Sequence, residues 1–255
     1  MPTTRLALTR GISPALAHCE LTHLSRVPID LARARAQHAA YEATLSRLGW
    51  TVQRLPDIPE HPDGVFVEDT AIVLSELAVL TRPGAASRRG EVSSVEAALA
   101  PYRSLVHIKA PGTLDGGDVV VLGQKIYVGH TTRSNEAGIA QLRAHVAPFG
   151  YTVTSVPVTG CLHLKSAATA VARNTVLLNP AWVDPAIFEG CTVLHVDPAE
   201  PMAANAVWLG NAVLCAEAYP VTNARLRTHG LTVHTTPADE LAKAEGALTC
   251  CSLLV

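Results

Sequence analysis

A pattern that recurs five times constrains this chain more than anything else in it. Apolar runs that begin in similar ways occupy residues 65–74, 114–122, 164–172, 203–209 and 248–255. Taking Thr70, Asp118, Thr169, Ala206 and Ser252 as equivalent, the units follow one another at steps of roughly 37 to 51 residues, the spacing of a repeat architecture. After each of the first four runs a short polar turn leads to a second run: Ala78-Val79-Leu80, Lys125-Ile126-Tyr127-Val128, Thr175-Val176-Leu177-Leu178 and Ala212-Val213-Leu214-Cys215. Two such runs joined by Gly, Asn, Ser or Glu read as a hairpin.

Helical periodicity follows most hairpins. Val92, Val95 and Leu99 predict a helix over 91–99, and Ile139, Leu142 and Val146 predict one over 136–146. A shorter helix is predicted over 222–227, with Thr222 as its cap. A further strand closes each unit, at 105–108, 151–156, 191–196 and 231–234. The fifth unit holds only its first run, and its remaining pieces stand at the other end of the chain. Residues 6–10 supply its second strand, 30–48 its helix, ended by Gly49, and 50–55 its closing strand. The prediction is an α/β fold: a single domain over 1–255, a five-bladed α/β-propeller of pseudo-symmetric ββαβ units closed by the N- and C-terminal strands. Closure removes exposed sheet edges. An ordinary mixed α/β domain is the competing reading.

Composition excludes several classes. With 48% hydrophobic and 16% charged residues the chain can build a core and is not disordered as a whole. A net charge of -2 without a basic block argues against a nucleic-acid partner. No apolar run approaches the ~20 residues of a membrane helix, and the start from Met1 to Arg5 leads into too short an apolar stretch for a signal peptide. Six cysteines include no C-x₂-C pair for structural zinc, and the neighbours Cys250 and Cys251 are poorly placed to bridge each other. These features predict a soluble, reduced, cytoplasmic protein.

Equivalent strands of pseudo-symmetric units begin at the same end of a ring, so side chains at the unit entrances can converge. The entrances hold Glu68 and Asp69, Asp115 and Asp118, His163 and Lys165, Asn205, and Cys250 and Cys251. Burying unpartnered charges is costly, so polar groups gathered there suggest a site rather than a core. Thiol, imidazole and carboxylate together match the logic of nucleophile, base and orienting group, which is recognised by role and not by order. Neighbouring carboxylates at Asp63, Glu68 and Asp69 ask for a cation. A planar guanidinium fits, since two carboxylates accept its fork of N–H donors, while a metal ion finds no calcium-loop spacing. Arg82–Arg89 and Thr131–Asn135 lie between a strand end and a helix start, where arginines can clamp a carboxylate. A ligand with a guanidinium at one end and a carboxylate at the other accounts for both groups.

Five motifs in one order make the chain resemble the dimethylarginine dimethylaminohydrolase family from about Leu6 to Val255. They are Phe66-Val67-Glu68-Asp69, Thr81-Arg82-Pro83-Gly84 with Ser87-Arg88-Arg89, Thr113-Leu114-Asp115-Gly116-Gly117-Asp118-Val119, Leu162-His163-Leu164-Lys165-Ser166 and Leu248-Thr249-Cys250-Cys251-Ser252. The resemblance implies the pentein propeller of guanidine-modifying enzymes. It implies Cys250 as nucleophile, His163 as general acid and base, and Asp115 as the group orienting His163. It sets Glu68 and Asp69 against the substrate guanidinium, Asp63 at the α-amino group, Arg88 and Arg133 at the α-carboxylate, and Leu21 in a mobile lid over 12–26. No cofactor is implied. Zinc is not required, though an inhibitory zinc at Cys250 and His163 is known in related proteins. The partner implied is a small methylarginine, neither nucleic acid nor membrane, and a homodimer is admitted without being required. An arginine or agmatine deiminase of the same superfamily, and a non-catalytic propeller acting as a binding module, are the alternatives.

Overall fold

Among residues 5–255, which the computed structural model describes, fifteen strands form five sheets of three. Met1 to Thr4, on which the signal-peptide reading rests, lie outside the described residues. In chain order the strands are β1 (Leu6–Thr9), β2 (Thr51–Arg54), β3 (Ala71–Val73), β4 (Leu77–Leu80), β5 (Ser104–His107), β6 (Val119–Leu122), β7 (Lys125–His130), β8 (Thr152–Pro157), β9 (Ala168–Ala172), β10 (Thr175–Leu178), β11 (Thr192–His195), β12 (Ala206–Trp208), β13 (Val213–Ala216), β14 (Val233–Thr236) and β15 (Leu253–Leu254). Each sheet repeats one plan. An inner strand pairs antiparallel with the middle one, as β3 does with β4, and the middle one pairs parallel with the outer, as β4 does with β5. The sheet that joins the chain ends keeps the plan: β15 runs antiparallel to β1, with Ala7 opposite Leu254, and β2 parallel to it.

Parallel pairs need a crossover, and helices supply most of them. The first, α1 (Leu31–Arg47), is started by Asp30, whose carboxylate accepts the N–H groups of Ala32 and Arg33 at 2.9 and 3.0 Å. It stops at Gly49, which takes the left-handed backbone at φ +87°. Helices α2 (Val92–Leu99) and α3 (Glu136–Val146) stand where their periodicity places them. Their apolar faces fill the wedges between blades: Ile139, Leu142 and Val146 of α3 pack with Ile72, Val79, Val119 and Val128, each such burial worth about 1.5–3 kcal/mol.

Three local expectations need correction. The runs that open the units do not begin as strands. Val67–Thr70, Gly116–Asp118, Thr249–Cys251 and the short α4 (Leu164–Ala167) are helical turns, and the strands start only after them. Strand starts also make Ala167 and Asn205, rather than Thr169 and Ala206, the counterparts of Thr70 and Ser252. Thr222 does not cap the helix of its unit. That helix, α5 (Pro220–Thr228), begins at Pro220, which lacks an N–H that the first turn would leave unpaired, and Thr222 Oγ1 accepts the N–H of Asp197 from inside it. The fourth crossover holds only the tight turn Pro185–Phe188, anchored by Phe188 against Tyr127 with ring centres 4.6 Å apart.

The inner strands β3, β6, β9, β12 and β15 together line a central cavity of about 220 Å³. This shared lining brings the five entrances to one end of the molecule. No helix among the described residues is long and apolar enough to cross a membrane.

Candidate active site

A helical turn points successive side chains in different directions, where a strand would merely alternate them. The turn Val67–Thr70 therefore divides its two carboxylates. Asp69 enters a small covered cavity that it shares with Asp63, Arg88, Arg133, His163 and Cys250. Glu68 faces the central cavity instead. There its Oε1 accepts Lys165 Nζ at 2.6 Å and its Oε2 accepts the Thr249 hydroxyl at 2.7 Å. The two carboxylates that the resemblance sets against one guanidinium thus line separate cavities. The cations that separate the pair belong to the protein, Lys165 for Glu68 and Arg88 for Asp69.

His163 immediately precedes α4, and both its ring nitrogens meet carboxylates. Nε2 lies 3.1 Å from Asp115 Oδ2, and Nδ1 lies 3.9 Å from Asp69 Oδ1. Asp115 is fully buried, and its other oxygen accepts the Gly84 N–H at 2.8 Å, so its orientation is fixed from behind. Gly117 lies against the ring: a Cβ there would come within 2.7 Å of both His163 Nδ1 and Asp69 Oδ1. Its own N–H donates to Asp69 Oδ1 at 2.9 Å. Burial disfavours the imidazolium, yet Asp69, Asp118 and Asp115 outweigh it and raise His163 to about 9. Burial likewise opposes ionisation of Asp69, but His163, Arg88 and the Gly117 N–H hold that carboxyl down at about 2. The pair is an imidazolium beside a carboxylate at neutral pH.

Cys250 sits in the turn Thr249–Cys251, with 9% of its surface exposed, on the wall of the same cavity. Thr249 fixes that turn: its N–H donates to Asn205 Oδ1 at 3.0 Å, and its hydroxyl accepts Asn205 Nδ2 at 2.9 Å. Burial, Glu68 and Asp69 push the Cys250 thiol up to about 12. Cys251 points away into the core beneath α1, its thiol donating to the Ala247 carbonyl at 3.4 Å. Geometry thus separates two neighbours that composition could not.

The residues expected at a substrate's polar end divide similarly. Arg133 lines the cavity, with Nη2 donating to Thr22 Oγ1 at 3.3 Å and Nη1 3.8 Å from Asp115. Among the described residues the Asp63 side chain accepts only the Glu20 N–H, at 3.1 Å, and burial lifts its carboxyl to about 6 despite Arg88 nearby. Arg88 is largely committed. It donates to Asp69 at 2.5 Å, to both oxygens of Glu91 at 3.1 and 2.8 Å, and to the Phe66 carbonyl at 2.9 Å. Its first task here is to brace Asp69. On the lid side the cavity wall is Glu20, while Leu21 packs against the apolar cluster beside it.

Sequence reasoning gave no role to three supporting residues, Asp118, Asn205 and Glu91. Asp118 accepts the Leu164 N–H at 3.0 Å and the Thr131 and Ser134 hydroxyls at 2.7 and 2.6 Å, so it fixes the turn that carries His163. Its place beside Asp115 at a unit entrance was the available signal, as was that of Asn205. Glu91 had none beyond its three-residue spacing from Arg88. For a metal, the ligand atoms that converge within 4.8 Å are those of Asp69, Asp115 and His163. A zinc shared by Cys250 and His163 would have to compete with a carboxylate already facing each ring nitrogen.

No protein-family model matches the chain. It is 40% identical to the N(G),N(G)-dimethylarginine dimethylaminohydrolase of Streptomyces coelicolor over 99% of its length and 97% of that protein's. It is 32% identical to the Pseudomonas aeruginosa protein of the same name, over 88% and 89%. Solved structures agree. A cysteine-to-serine mutant of the Pseudomonas aeruginosa protein, complexed with citrulline, superposes with a TM-score of 0.93 at 29% identity over 99% of each chain. The N-terminal domain of ArgZ, an arginine dihydrolase from cyanobacteria, shares the fold at 20% identity with a TM-score of 0.87, over 98% and 97%. The chain belongs to the dimethylarginine dimethylaminohydrolase family, an α/β-propeller of the pentein type.

Proposed function

We propose that this chain hydrolyses asymmetric Nω,Nω-dimethylarginine and Nω-monomethylarginine to citrulline, with dimethylamine or methylamine as the other product. The observation that carries the reading is the convergence of Cys250, His163 with Asp115, and Asp69 on one covered cavity that Asp63 and Arg133 also line. A substrate guanidinium beside Asp69 adds positive charge next to the Cys250 thiol. That favours the thiolate, whose proton leaves to solvent as the cation binds. The thiolate attacks the guanidinium carbon. The C–N bond to the methylated nitrogen breaks, and the His163 imidazolium protonates the departing amine. His163, now neutral and held by Asp115, takes a proton from water. The resulting hydroxide attacks the amidino-cysteine carbon, and the C–S bond breaks to release citrulline and the Cys250 sulfur. Asp63 receives the substrate ammonium and Arg133 its carboxylate, with Arg88 contributing its remaining Nη1–H. No resident cofactor enters any step. Six free cysteines support a reducing, cytoplasmic setting.

The test is a metal-chelated assay on dimethylarginine, arginine and agmatine, with Cys250→Ser alongside. The expected result is citrulline with dimethylamine from the first substrate only, abolished in the variant. Ammonia from arginine or agmatine as the main product would replace the substrate assignment with a deiminase. No turnover by a folded protein would overturn the enzymatic reading in favour of a binding module.

A further inference from the structure

The lid segment is tied to the body of the molecule at several points. Glu20 N–H donates to Asp63, and Arg133 donates to the Thr22 hydroxyl. The Ser87 hydroxyl donates to the Glu20 side chain at 2.6 Å. Arg26 holds only the lid's own shape, through the carbonyls of Ala17 and Cys19. At the base of the segment the Ser13 hydroxyl donates to the Pro59 carbonyl at 2.7 Å. The tie to Glu245 is of another kind. Glu245 accepts three successive backbone N–H groups, that of Thr22 at 2.9 Å on Oε2 and those of His23 and Leu24 at 2.5 Å on Oε1. Glu245 itself has φ +55°, the sole non-glycine residue with positive φ among the described residues, a conformation that persists only where its surroundings enforce it.

We propose that the Glu245 carboxylate is the latch that keeps the lid shut over Cys250 while substrate is bound, which makes it a positioning residue for the reaction. This role rests on the substrate assignment made above. Asp63 and Arg133 are the groups that the substrate ammonium and carboxylate claim, so their ties to Glu20 and Thr22 are surrendered on binding. Ser87 to Glu20 is a single exposed bond between side chains. The Glu245 contacts use the lid backbone and no substrate-binding group, so beyond the base held by Ser13 they are what fixes the main chain at residues 22–24 in both the empty and the occupied state. They are also charge-assisted, the stronger class of hydrogen bond. The space beneath the lid is about 20 Å³, room for about one water molecule. Substrate therefore enters only after the lid lifts, and the latch must release and re-form in each turnover. Glu245 and Cys250 share one short segment, so closing the lid and presenting the thiol are mechanically joined.

Hydrogen exchange on wild type, Glu245→Gly and Glu245→Asp tests this. Glycine accepts the positive φ without strain, so the first variant removes only the carboxylate. The expected result is exchange at Thr22, His23 and Leu24 faster by about tenfold or more in Glu245→Gly, with strand amides unchanged and partial protection in Glu245→Asp. KM for dimethylarginine should rise by about tenfold with kcat changing less, and saturating substrate should no longer shield Cys250 from iodoacetamide. Wild-type exchange at the three amides in Glu245→Gly overturns the latch, as does faster exchange with unchanged KM and full shielding. Should Glu245→Gly lose protection throughout the chain, Glu245→Gln carries the same expectation. Exchange at the lid is read without turnover, so a failed latch appears in the variant, whereas a failed substrate assignment appears in wild type.

Discussion

Two buried polar centres lie back to back at the hub of the ring, and both are supplied by the turn Val67–Thr70. In the central cavity Glu68, Lys165 and Thr249 form a closed set in which one negative charge meets one positive charge. In the covered cavity Asp69 meets Arg88 and His163, and Asp115, Asp63 and Arg133 stand close by with donor or acceptor capacity left over. The two differ in what remains unsatisfied, and that surplus is what a ligand can use. Convergence of polar side chains at the entrances is thus a property of the scaffold, and the proposed chemistry uses the centre whose groups are not already answered by each other.

The comparison can be broken by exchanging the consequences of damage at each centre. His163→Gln should lower kcat by about 10²–10⁴-fold in steady-state kinetics, and it also costs stability below pH 9, because it removes the cation between Asp69 and Asp115. Lys165→Met should cost stability while leaving the covered cavity's own groups in place. It strands the buried Glu68 charge, for a loss of about 3–5 kcal/mol in urea denaturation, and adding Glu68→Gln should recover most of it. A double variant with regained stability but the kinetic defect of His163→Gln would erase the distinction between the centres.

Titration sharpens it further. His163 is raised in the folded state, to about 9 from 6.5, so the stability it contributes is full below pH 6.5 and disappears as pH rises through 9. That alkaline limb should vanish in His163→Gln. Asp69 is depressed to about 2, so its contribution is present above pH 3.8 and is lost as pH falls through 2. Asp63, raised to about 6, opposes folding increasingly as pH climbs from 3.8 to 6. Its protonation should also raise KM below pH 6, a limb that Asp63→Asn abolishes. The smallest effect is expected at Cys251→Ala: about 1 kcal/mol of stability for a small buried side chain, with activity within about twofold, against complete loss at the neighbouring Cys250→Ser.

How much of this was legible follows from range and period. The blades could be read because strand and helix periodicities are local, and the ring because its last piece was displaced to the other end of the chain. The residues gathered at the entrances were legible for the same reason. Their directions were not. Glu68 and Asp69 are neighbours in the sequence and so were read as one site; the helical turn sends them to two cavities. The pairing of Arg88 with Glu91 was not legible, because it forms in a helical turn that periodicity gave no reason to expect. Glu245 was invisible because its partners Thr22, His23 and Leu24 lie more than two hundred residues away. Thr222 misled because Ser and Thr cap helices often, while Pro220 beside it was the stronger start.

The pairing of β1 with β15 has a consequence for the order of events on the ribosome. The strand that completes the sheet of β1 is made more than two hundred residues after it, and it follows Cys250 closely. A nascent chain therefore carries an unfilled sheet edge until β15 emerges, and gains Cys250 only as that edge is filled. Maturation and competence coincide. A partly translated chain is inert rather than unguarded, and an appendage that frays the final strand should silence the enzyme before it unfolds the remaining blades.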